Sequence, residues 1–348
     1  MSPSAAAAAS TVIEVRTSPH LHADRTVDMI MRNVVYAMLP ICLYSVWLFG
    51  ISSVALLIAS TGACLLTEHA VCRLSGRASS INDYSVTITG ILLALVLPPG
   101  LPLWMACVGA FIAVAPGKMI FGGLGYNVFN PALVGRAFLQ AAFPSALMGY
   151  TQPMLPNRFT EFIPSTLALP LMKGDPITAI SSATPLNLQK FDHIATLPSV
   201  LFWGQRAGSL GETCAPLILL CGLYLIARKM MDWRITAAMI LGVVAAGGLF
   251  HLADSSKYPS PLVHVLSGGL MLGAVFMATD PVASPVTPLG SWIYGIVMGV
   301  LTVIIRCLGG LAEGVMYAIL LGNALAPMID NLTQPRTYGE RKKARAQK

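Results

Sequence analysis

Five ionisable side chains stand inside or at the edges of stretches that otherwise carry no charge: Glu68 with His69 beside it, Arg136, Asp280 and Glu313. A charge placed in hydrocarbon is costly, so such groups usually face a pathway, a ligand or an opposite charge. Arg136 lies well inside its apolar stretch. Glu68 and Glu313 lie near the ends of theirs, where reaching out to water is an equally good account. Arg136, Asp280, Glu68 and Glu313 are therefore the candidate ion- or ligand-pathway residues. Bond-breaking chemistry has no comparable candidates. No acid–base pair and no activated nucleophile is evident, and no Gly-rich loop opens a helix after a strand to cradle a phosphate. No catalytic residue and no metal ligand is assigned. The seven cysteines (Cys42, Cys64, Cys72, Cys107, Cys214, Cys221 and Cys307) form no Cys-x-x-Cys pair and lie in or beside apolar segments. They read as small core residues rather than as an iron–sulfur or zinc site.

One polar run stands apart. Thr178-Ala179-Ile180-Ser181-Ser182-Ala183-Thr184-Pro185-Leu186 is a string of small and hydroxylated residues ahead of a proline. On composition alone it is a turn, with a hydroxyl available to cap it.

The elements that hold these residues are membrane helices. The chain has 348 residues, 55% hydrophobic and 11% charged, where a soluble domain carries roughly a quarter charged residues. Mean hydropathy is +0.70. Residues 33–67, 84–117 and 258–279 contain no Asp, Glu, Lys or Arg. A crossing needs about 20 apolar residues, so the first two stretches must fold back on themselves. The reading is an all-α integral membrane protein of about ten transmembrane or half-membrane helices. Candidate spans are 33–50, 52–72, 84–97, 101–118, 129–145, 213–228, 234–252, 262–278, 290–306 and 312–328. Short spans such as 84–97 read as half-helices, tolerated where protein buries them.

Domains follow from these spans: an N-terminal arm at 1–28, a first five-helix repeat at 29–145, a long external loop at 146–211, a second five-helix repeat at 212–330 and a basic tail at 331–348. The arm's Ala5–Ala9 run leads into polar residues and Arg16, unlike a secretory signal. Thr89-Gly90-Ile91-Leu92-Leu93 and Ser267-Gly268-Gly269-Leu270-Met271 occupy matching places in the two halves. So do Gly122-Gly123-Leu124 and Gly309-Gly310-Leu311. Five spans per half makes the repeats inverted, as in many transporters. Pro98-Pro99-Gly100, Asn130-Pro131, Asp280-Pro281 and Ser284-Pro285 mark breaks, with Asn130 as a helix cap and Pro131 in the first turn.

Lys and Arg gather on the side that holds both termini, which makes that side cytoplasmic and the 146–211 loop external. Lys118 counts on the cytoplasmic side, and Arg206 and Arg306 on the other. The same placement explains the net charge of +7 without a nucleic-acid partner.

Ser181-Ser182-Ala183-Thr184 resembles the flavinylation motif of the RnfD/NqrB family of membrane redox proteins. There a Ser/Thr-Gly-Ala-Thr sequence takes FMN through a phosphoester on its last Thr. Ser18-Pro19-His20, Gly122-Gly123-Leu124-Gly125, Asn130-Pro131-Ala132-Leu133-Val134-Gly135-Arg136 and Thr279-Asp280-Pro281 are similar to other stretches of the family. The resemblance covers essentially the whole chain, and the short arm is closer to the RnfD members. Ser182 departs from the pattern, standing where Gly is usual and bends more freely.

The resemblance implies covalent FMN on Thr184 and membership of an ion-translocating ferredoxin:NAD⁺ oxidoreductase (Rnf) complex in the bacterial inner membrane. It also implies a periplasmic flavin loop, coupling to H⁺ or Na⁺, and a second, non-covalent riboflavin in some members. Its implied partners are the other subunits of the Rnf complex, among them a second flavin-bearing one and iron–sulfur ones, and a flavin transferase. It implies no NADH oxidation by this chain alone. Two other readings compete. One is a solute channel or transporter of urea-channel-like architecture without flavin. The other is a purely structural membrane anchor.

Overall fold

The protein is described from a computed structural model, covering residues 26–76, 80–170, 183–191, 196–255, 257–310 and 312–335. Ser181 and Ser182, most of the N-terminal arm and the basic tail lie outside the described residues.

The first half opens with α1 (Val27–Phe49) and α2 (Ile51–Leu74). Thr26 caps α1, its hydroxyl accepting from Met29 N at 3.3 Å. The two helices meet at Gly50, whose φ is +73°. A Cβ there would strike the Arg158 carbonyl oxygen, so only glycine turns this corner. Next come α3 (Ser85–Leu95), α4 (Leu103–Val114) and α5 (Pro131–Ala142). The last turn of α4 widens to a π-helical turn at Ala115–Met119. Asn130 caps α5, its side-chain oxygen accepting from Ala132 N at 3.1 Å, with Pro131 in the first turn.

The connecting region contains α6 (Pro144–Met148), a 3₁₀ turn at Pro164–Leu167, α7 (Pro185–Phe191) and α8 (Pro198–Trp203). The second half comprises α9 (Ala215–Ala227), α10 (Trp233–Ala253), α11 (Pro261–Leu266), α12 (Leu270–Leu272), α13 (Pro288–Leu308) and α14 (Val315–Thr333). A π-helical turn at Gly273–Met277 prolongs α12.

Among the described residues, α1, α2, α10, α13 and α14 are long and apolar enough to cross a membrane, and no strand is formed. This is an all-α, multi-pass membrane protein. The same packing order recurs in its halves: α2 lies on α3 and α4, and α4 on α5; α10 lies on α11 and α13, and α13 on α14. Contacts of α1 with α9 and of α5 with α14 join the halves. Small residues let the helices close up. A Cβ on Gly299 of α13 would meet the Met239 carbonyl oxygen of α10 at 2.4 Å, and one on Gly90 of α3 would meet Thr61 Cα of α2 at 2.6 Å.

With 11 residues, α3 is too short to cross alone, since a helix rises about 1.5 Å per residue. Its open carbonyls find partners far along the chain: Gly211 N donates to Leu95 O at 2.5 Å and Leu210 N to Leu97 O at 3.1 Å. In the second half the break falls at Ser267–Gly269, between α11 and α12. Asp280-Pro281 and Ser284-Pro285 do not interrupt a helix. They form the connection into α13.

Candidate functional site

A cavity of about 410 Å³ lies where α5, α7 and the start of α14 converge. Its wall includes Arg136 and Gln140 from α5, Ala183, Thr184, Asn187 and Phe191 around α7, Tyr150, Glu313 and Tyr317. Thr184 is buried, 2% exposed. Its hydroxyl oxygen accepts from Asn187 N at 3.3 Å, so it caps α7 as the composition suggested, and it also borders the cavity. Two contacts seat α7. The Lys190 ammonium donates to the Arg306 and Gly309 carbonyls at 2.8 and 2.5 Å, and Leu186 packs beside Gly268. Ligand pockets commonly enclose about 300–1,000 Å³. This one offers aromatic faces at Tyr150, Phe191 and Tyr317, amides at Gln140 and Asn187, and a guanidinium at Arg136. Such a wall receives a flat heteroaromatic ring and an attached anion.

Arg136 and Glu313, both candidates from sequence, form one ion pair at 2.8 Å across the two halves. Glu313 therefore turns to Arg136 and keeps only partial exposure. Arg136 Nε and Glu313 Oε1 have no hydrogen-bond partner among the described residues. Glu212 joins them. It is 4% exposed, accepts from Ser209 Oγ at 2.8 Å, and brings its carboxyl group to Glu313. Two carboxyl groups so placed repel one another when both are ionised.

Arg206 and Arg306 complete the cluster. Neither sits at a water boundary, where the sequence count placed them: they are 6% and 3% exposed. Arg306 donates to the His264 and Ser267 carbonyls at 2.6 and 2.9 Å, satisfying the end of α11 at the helix break. Glu212, Arg206 and Arg306 were not singled out from sequence. The only available hint for Arg306 was a charge inside the last turn of an apolar helix.

Glu68 does not snorkel either. It is wholly buried and pairs with Lys118 at 3.0 Å. Lys118 also donates to Ser85 Oγ at 2.6 Å, and Ser80 donates to Glu68. Lys118, assigned to the cytoplasmic boundary from sequence, is thus an interior residue. His69 is exposed. Asp280 belongs to neither ion pair but shares a cavity with Lys118. Its Oδ1 accepts from Val282 N at 3.1 Å, and it lines a second, smaller cavity of about 90 Å³ with Thr89, Lys118 and Asn127. Five of the seven cysteines are buried and all are free; Cys107 is exposed and Cys307 half-buried.

The chain matches the sequence model of the NQR2, RnfD, RnfE family over residues 14–339. It belongs to that family. Among family relatives, it is 36% identical over 341 residues to the D subunit of the proton-translocating ferredoxin:NAD(+) oxidoreductase complex of Clostridium ljungdahlii, covering 95% of this chain and 97% of the relative. It is 38% identical over 331 residues to the D subunit of the Na(+)-translocating ferredoxin:NAD(+) oxidoreductase complex of Acetobacterium woodii, covering 94% and 95%. It is 39% identical over 331 residues to the D subunit of the ion-translocating oxidoreductase complex of Stutzerimonas stutzeri, covering 90% and 92%. The first two relatives name different ions at nearly equal identity, so overall likeness to the family does not choose the ion.

Proposed function

We propose that this chain is the membrane electron-transfer subunit of an ion-translocating ferredoxin:NAD⁺ oxidoreductase complex, bearing FMN as a phosphoester on Thr184. The observation that carries the reading is the position of Thr184, itself buried, on a cavity with aromatic walls and one guanidinium. Flavin held there would supply two-electron and one-electron redox chemistry, which suits a relay among the redox subunits of such a complex.

The chain's own residues do the rest. Thr184 supplies the anchoring oxygen, Lys190 and Leu186 seat α7 against the second half, and Tyr150, Phe191 and Tyr317 offer faces against which the ring can stack. The smaller cavity beside Asp280, at about 90 Å³, is too small to hold a riboflavin. Asp280, Glu68, Arg136 and Glu313 stand as the candidate pathway for H⁺ or Na⁺. This reading puts the chain in the bacterial inner membrane, and the Lys and Arg distribution favours both termini cytoplasmic and the flavin loop periplasmic.

The test is covalent flavin. The chain is produced with its flavin transferase, denatured and viewed for in-gel fluorescence beside Thr184→Ala. Fluorescence in the parent alone supports the reading. Absence in both, with the transferase active on another substrate, overturns it.

A further inference from the structure

We infer that Arg136 is the counter-cation of the phosphoester on Thr184, held in common by that phosphate and Glu313. The inference rests on the flavin reading above and names the residue that would receive the cofactor's charge.

A phosphodiester is a permanent anion. Placed in a pocket of a membrane protein, it needs a cation and hydrogen-bond donors, because a buried unpaired charge is too costly to hold. Among the described residues that line the cavity, Arg136 is the one Lys or Arg. It is 7% exposed, and its Nη2 is engaged by Glu313 at 2.8 Å. Its Nε donor has no protein partner among the described residues. The neighbouring guanidiniums are not placed to do this. Arg306 spends both terminal nitrogens on the carbonyls of the helix break, and Arg206 does not border this cavity. A guanidinium offers five donors in a planar fork, so one Arg can serve a carboxylate on one edge and a phosphate on another.

The arrangement makes Arg136 a positioning residue. Attachment depends on the transferase and on Thr184. Seating of the attached group depends on Arg136.

The experiment uses the full chain produced with its transferase and purified in detergent. Two quantities are read: covalent flavin by fluorescence after denaturation, and quenching of flavin fluorescence by acrylamide in the folded protein. Acrylamide is neutral, so a change in local charge does not bias it. Arg136→Gln is expected to retain covalent flavin and to raise the quenching constant several-fold, with Arg136→Lys between it and the parent. Glu313→Gln is expected to quench as the parent does. If Arg136 merely supported structure through its ion pair, Glu313→Gln would expose the flavin equally. Should Arg136→Gln not fold, the double variant Arg136→Gln/Glu313→Gln decides, because it removes both members of the ion pair and strands neither. It too is expected to expose the flavin. Quenching equal to the parent in the folded Arg136 variants, or equal exposure in Glu313→Gln, overturns the inference. Absence of covalent flavin from the parent would instead sink the flavin reading itself.

Discussion

Arg136 on α5 and Glu313 just ahead of α14 are paired at 2.8 Å although 177 residues separate them in the chain. The pair links the first half to the second at the wall of the largest cavity described. Glu212 makes it a cluster of three. A proton held between Glu212 and Glu313 would relieve their repulsion, and a neutral amide at position 212 can take over the donor's part. Glu212→Gln is expected to unfold in detergent within a few degrees of the parent. Glu212→Ala removes that donor from a buried carboxylate, at a cost of about 1–3 kcal/mol. Equal melting of the two variants would show that the shared proton is not on Glu212.

The other buried pair, Glu68 with Lys118, calls for a different comparison. Removing one member of a buried ion pair strands its partner, typically for about 3–5 kcal/mol, whereas replacing both with neutral residues is often far milder. Lys118→Met should therefore lower thermal stability sharply, and Glu68→Gln/Lys118→Met should recover most of the loss. A double variant as unstable as the single one would contradict the pairing.

Gly268 has φ +66° at the break between α11 and α12. A Cβ there would stand 2.8 Å from Arg306 Nη2 and 2.9 Å from Leu186 Cδ1. Gly268→Ala is expected to cost about 2 kcal/mol or more, from backbone strain with added crowding. It should also loosen α7, which limited proteolysis of the connecting region would register as faster cleavage.

Lys190 anchors α7 through two carbonyls at the end of α13. Bonds from a charged donor contribute about 1.5–3 kcal/mol, less where water competes. In Lys190→Met, amide hydrogen exchange over residues 185–191 should quicken several-fold while global melting moves little. Unchanged exchange would show that Leu186 and Thr184 suffice to hold the helix.

The long apolar runs made the helices legible, because hydrocarbon excludes charge over lengths that a helix must meet. Each candidate span overlaps a helical element, and Asn130-Pro131 opens α5 as its cap chemistry requires. Depth alone marked Arg136. What sequence could not supply was pairing. Glu68 and Lys118 are 50 residues apart, and nothing local distinguishes a basic residue that ends a helix at water from one that turns inward. Lys118 and Arg306 were misplaced for that reason. Glu212 and Arg206 lay hidden in a polar stretch whose lack of periodicity gave no sign that it folds back into the protein. Thr184 was visible as a motif through family resemblance, while its cavity depended on three distant segments.

The bonds from Leu210 and Gly211 to the end of α3 carry a consequence for biogenesis. During synthesis α3 leaves the ribosome long before the amides that will satisfy its carbonyls exist. Until the chain has been made past Gly211, the first half has an unfinished helix end, which lipid alone does not accommodate. The insertion machinery must shelter it in the meantime, so a nascent chain stalled before residue 210 should remain bound to that machinery rather than pass into the bilayer.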